Sequence, residues 1–97
     1  MAEKRRIEPC TCVSHEAGRL NIEVQLPGVD KNDISLDMRR DSFCVAASMR
    51  DDTEYSGCFS LAHEVESDKA EAKYENGLLR IFAPIKDWEK KTHVMIQ

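Results

Sequence analysis

From Leu20 to Leu26 every second residue is apolar: Leu20, Ile22, Val24 and Leu26 alternate with Asn21, Glu23 and Gln25. Successive side chains of a strand point to opposite faces, so a period of two describes a strand with one buried face. The same period returns at Ile34, Leu36 and Met38, and again at Phe43, Val45, Ala47 and Met49. Shorter runs at Cys10 to Val13 and Cys58 to Leu61 read as further strands. Near the end, Ala70, Ala72 and Tyr74 alternate with Glu71, Lys73 and Glu75. An apolar run from Leu78 to Ala83 follows, closed by Pro84, which cannot donate to a ladder. Val94 and Ile96, two apart, make His93 to Gln97 a candidate last strand.

Turn signals separate these runs. Asn76-Gly77 between two strands is the strongest of them, because a type I′ hairpin turn needs positive φ at both central residues. Pro27-Gly28 has the order of a type II turn, with Pro fixing φ at the first central position and Gly accepting positive φ at the second. Polar turns are expected at His15 to Gly18 and at Arg39 to Ser42, and a turn or single helical turn at Asp30 to Asp33. Asp51 to Glu54 reads as an acidic loop, Glu64 to Lys69 as a polar connection, and Lys86 to Thr92 as a charged linker holding Trp88. Seven or eight short strands, with no long amphipathic helix and no internal repeat, predict an all-β antiparallel sandwich.

Composition narrows the function more than the fold. The chain has 97 residues, enough for one domain, and with 6% aromatic residues its core must be aliphatic. A formal charge of −4 argues against nucleic acid as a partner, since binders of nucleic acid present a basic face. Lys4-Arg5-Arg6 reads as a solvated basic tail. No apolar stretch resembles a signal peptide or a membrane span, so a cytoplasmic protein without a membrane partner is expected. Cys10, Cys12, Cys44 and Cys58 lack paired metal-knuckle spacing, and nothing signals secretion; they are expected to be buried small hydrophobes rather than disulfides or ligands. His15, His63 and His93 are scattered, no nucleophile elbow or phosphate loop is present, and Asp51, Asp52 and Glu54 lack the spacing of a calcium loop. No enzyme, cofactor or metal site is expected. Trp88 is expected to cap the edge of the sandwich.

Three strings occur in an order that carries a resemblance. Leu26-Pro27-Gly28-Val29 is followed by Asp33-Ile34 opening the next strand; Phe59-Ser60-Leu61 lies further on; and Ala72 is followed by Asn76-Gly77-Leu78-Leu79. Together they resemble the α-crystallin domain of small heat-shock proteins. The resemblance implies an immunoglobulin-like sandwich over residues 10–85, a short N-terminal arm over 1–9, and a linker and tail strand over 86–97. It implies an ATP-independent holdase whose partners are unfolding client proteins. By the same resemblance a partner groove lies beside the strand carrying Ile34, Leu36 and Met38, opposite the strand from Ala70 to Tyr74. Val94-Met95-Ile96 is similar to the family's tail motif, which enters such a groove by strand addition; the other arrangement adds the tail to its own sheet. The brief arm and the short stretch from Arg50 to Gly57 argue for a monomer, dimer or small oligomer rather than a large swapped assembly. These two features also fit an alternative, a protein-interaction module resembling the CS domain of co-chaperones.

Overall fold

The structure is a computed structural model and describes residues 5–16, 18–49, 52–86 and 94–97. Among these, eight strands follow in chain order: β1 (Arg5–Ile7), β2 (Thr11–Glu16), β3 (Arg19–Gln25), β4 (Ile34–Met38), β5 (Ser42–Ser48), β6 (Thr53–Ser60), β7 (Glu71–Glu75) and β8 (Leu78–Pro84). They form two four-stranded sheets, β1-β6-β5-β4 and β2-β3-β8-β7. Every pairing is antiparallel except β1 with β6, which is parallel. The result is the predicted all-β sandwich.

The alternation in the sequence becomes the core. Leu20, Ile22 and Val24 of β3, Phe43, Val45 and Ala47 of β5, and Leu79, Ile81 and Ala83 of β8 all point between the sheets and are buried. Two contiguous clusters result. The larger gathers β3, β5 and β8 around Phe43, which stacks on Phe59 with ring centroids 5.1 Å apart. The smaller joins Leu20, Val65, Ala83 and Ile85 at the far end.

The connections use the turn chemistry the sequence supplies. Asn76 and Gly77 take φ of 51° and 80°, which gives the two-residue turn the twist that β7 and β8 need. Gly28 takes φ of 80° after Pro27. Asp30 caps a 3-10 turn over Lys31–Asp33, its carboxylate accepting from the Asn32 amide at 3.3 Å. A second such turn, Ser67–Lys69, occupies the polar connection before β7.

Several local expectations are corrected. The acidic loop is shorter than its composition suggests: Thr53 and Glu54 belong to β6, and Thr53 is buried, because both sit between β5 and β1 in the sheet. β6 therefore starts five residues before the predicted Cys58. His15 and Glu16 continue β2, where they pair with Leu20 and Arg19. Arg5 and Arg6 are no loose tail but ladder partners of Thr53 and Glu54. The cysteines are not core. Cys10 and Cys12 are exposed, and Cys44 and Cys58 are joined across β5 and β6 on the outer face. Facing residues Phe43, Val45 and Ala47 take the buried side of β5, which leaves Cys44 the other. Residues 94–97 form no strand. Asp51, Trp88 and His93 lie outside the described residues.

Candidate binding groove between two edge strands

β4 and β7 are the end strands of their respective sheets. Both lie on one side of the sandwich: Met38 of β4 and Ala70, just before β7, pack on the same small cluster, while Ile34, Leu36 and Tyr74 flank the larger one. Register puts Ile34, Leu36 and Met38 opposite Ala47, Val45 and Phe43, so their side chains share the core-facing side of the sheet. They are nevertheless only half-buried, because no strand lies beyond them to complete the cover. On the facing edge, Ala72 pairs with Ile81; Ile81 is fully buried, yet Ala72 is exposed. Inward-facing apolar side chains that remain accessible border a candidate groove between the two edges.

The backbone of these same residues is also unspent. Arg39 N donates to Ser42 O at 2.8 Å, which marks that pair as hydrogen-bonded. Antiparallel pairs alternate, so Asp37 and Ser35 bond to β5, whereas the amides and carbonyls of Leu36 and Met38 face the open edge. The Ile34 amide points away from β5 too but is taken, donating to Lys31 O at the end of the 3-10 turn. A two-residue hairpin makes Glu75 and Leu78 a bonded pair, and by the same alternation Ala72 and Tyr74 turn their backbone groups outward. Four residues, Leu36, Met38, Ala72 and Tyr74, thus combine a core-side apolar side chain with free edge donors and acceptors. This is the geometry that strand addition requires.

One end of the groove is fixed by the two glycine turns. Leu26 N donates to Gly77 O at 2.7 Å, and a Cβ on Gly77 would come within 3.3 Å of Pro27 Cα. The Tyr74 hydroxyl lies 2.7 Å from the Leu26 carbonyl and 2.9 Å from that of Val29, and donates there. β7 is therefore tied to the connection that leads into β4. Tyr74 was legible only as an alternating aromatic. Its hydroxyl link over 48 and 45 residues of sequence has no local signal.

The residues singled out from the sequence separate into four places. Ile34, Leu36 and Met38 lie on the end strand β4 and Ala72 on the end strand β7, the two borders of the candidate groove. Leu79 is in the core, while Asn76 and Leu78 line a hollow on the outer face with Lys73, Glu75, Arg80 and Phe82. Val94 and Ile96 stand away from both sheets, 75% and 95% exposed. Among the described residues no three His, Cys, Asp or Glu side chains converge as a metal site would need, and no helix is long and apolar enough to cross a membrane.

Comparison with known proteins agrees with the fold. The model of the Hsp20/alpha crystallin family matches residues 13–97. Small heat shock protein C2 of Rickettsia felis is 24% identical over 109 residues, covering 97% of this chain and 71% of that protein. Among solved structures, heat shock protein 16.0 from Schizosaccharomyces pombe superposes with a TM-score of 0.74 at 19% identity, covering 94% of this chain and 99% of that one. A small heat-shock protein from Xylella fastidiosa, described as having a distinct high order structure, gives 0.71 at 21% identity over 92% of this chain and 94% of its own.

Proposed function

Because the chain belongs to the Hsp20/alpha crystallin family and is a small heat-shock chaperone, we propose that it works as an ATP-independent holdase through the β4–β7 groove. The supporting observation is the coincidence at Leu36, Met38, Ala72 and Tyr74 of accessible apolar side chains with unpaired backbone groups. An extended apolar segment of an unfolding protein would add to the edge of β4 by backbone bonds. Its alternate side chains would bury against the core-facing residues, removing the segment from aggregation. No covalent bond is made or broken in this scheme, so it needs neither enzyme chemistry nor a nucleotide. The cytoplasm is the compartment assigned.

The tail supplies a natural occupant of the same kind. Val94 and Ile96 are two apart and nearly fully exposed, so each chain carries a segment able to enter a neighbour's groove. We propose self-association to a dimer or small oligomer by this route, in competition with clients. Two measurements test the reading: absolute mass in solution, and light scattering of a heat-labile client without ATP. The expected results are a concentration-dependent mass that falls in the Val94→Ala, Ile96→Ala variant, and suppressed client scattering that is lost in Leu36→Asp. A strict monomer that leaves scattering unchanged at several-fold excess contradicts the holdase and favours an adaptor resembling the CS domain.

A further inference from the structure

The outer face of the β5–β6 hairpin carries two sulfurs that the groove does not use. Cys44 pairs with Cys58 in register, and alternation turns both away from the core. Met49 N donates to Thr53 O at 2.8 Å and Leu61 N to Asp41 O at 2.7 Å, which sets the phase of the ladder at both ends. Counting from either end, the Cys44–Cys58 pair is non-hydrogen-bonded, the class whose side chains stand closest together. Their Cα atoms are 4.1 Å apart and the sulfurs are bonded. Along β5 and β6 the neighbouring outward positions are Ser42, Ala46, Ser56 and Ser60, all too short to shield the pair, and on β4 Asp37 is the ladder partner of Cys44. Cys58 is exposed.

We propose that Cys44 and Cys58 form a reversible thiol–disulfide staple, a modification site that sets how firmly β6 is held to β5. Closure breaks two S–H bonds and forms one S–S bond; a peroxide takes the two electrons and two protons and becomes two waters. Opening is attack of a small-molecule thiolate on the exposed Cys58 sulfur, which expels the Cys44 thiolate and leaves a mixed disulfide on Cys58. A second equivalent attacks the reagent's sulfur and releases the Cys58 thiolate, leaving the reagent as its own disulfide. The backbone ladder, rather than the S–S bond, brings the residues together, so the reduced thiols stay opposed and reclosure competes well with reaction between molecules. The consequence is mechanical. β6 is bonded to β5 on one side and to β1 on the other, so the staple secures the hairpin and the N-terminal strand at once. Cys10 and Cys12 lie in and beside the other sheet, with Cys12 paired to outward Glu23, and do not compete within one chain.

The test uses the full chain with Cys10→Ser and Cys12→Ser, leaving one pair. After hydrogen peroxide the expected product is an uncrosslinked chain about 2 Da lighter, with Cys44 and Cys58 in a single linked peptide. Millimolar reduced glutathione should restore both thiols, and reduction should lower Tm by roughly 10 °C or more, the scale for opening a loop of this length in a small domain. Reduction needs no substitution, so the comparison holds even where a Cys44→Ala, Cys58→Ala variant folds poorly; where it folds, its Tm should match the reduced chain and ignore peroxide. Thiols that stay titratable after peroxide, crosslinks only between chains, an unchanged Tm, or a bond untouched by glutathione would each overturn the proposal.

Discussion

Val45 and Leu36 are ladder partners on neighbouring strands, facing the same side of the same sheet, yet one is buried and the other is not. Ile81 and Ala72 repeat the contrast in the opposite sheet. Face is set by register, a property of the pleat; burial is set by the strand's position in the sheet, because an end strand lacks a neighbour on one side. The central strands hold the sandwich together. The end strands carry the same apolar pattern but remain available to something outside the fold.

Substitutions can break this contrast, the largest effects falling on the central strands. Phe43→Ala should destabilise by about 3–5 kcal/mol, enough to unfold most of a marginal domain, read by chemical denaturation. Tyr74→Phe removes the donor to two carbonyls at the groove's end and should cost about 1–3 kcal/mol while β7 stays paired. The sharpest comparison sets Val45→Ala against Leu36→Ala. Leucine loses more atoms, yet the half-buried edge position should make its cost the smaller: about 1 kcal/mol against about 2 kcal/mol for Val45. Equal or reversed values would mean that β4 is as enclosed as β5. Smallest of all, Val94→Ala with Ile96→Ala should leave the unfolding free energy of the isolated chain within about 0.5 kcal/mol, since both side chains are in solvent.

Legibility in the sequence follows the same division. Strands whose alternation is enforced by a buried face, β3, β4, β5 and β8, stand near their expected places, as do the Pro27-Gly28 and Asn76-Gly77 turns, whose backbone conformations only a few residue types supply. What was missed depends on partners distant in sequence. Arg5–Ile7 is polar and short, and becomes a strand only because β6 offers an edge. Thr53 and Glu54 look like loop and are ladder. The outward position of Cys44 was implicit in the alternation of Phe43, Val45 and Ala47, but its opposition to Cys58 required the hairpin's register, set by a connection with no strong turn signal. For the groove, Ile34, Leu36 and Met38 were visible as a stripe. Their availability was not, because periodicity reads the same in a central strand as in an end strand.

The central claim is that an extended apolar segment adds to the β4–β7 edges. Amide hydrogen exchange, read residue by residue with and without a bound heat-unfolded client, examines it most directly. Exchange should slow at Leu36, Met38, Ala72 and Tyr74, whose amides the sheets leave free, with little change along β3 and β8. Slowing confined to the outer faces or to the free edge of β2, with those four amides unchanged, would contradict the account.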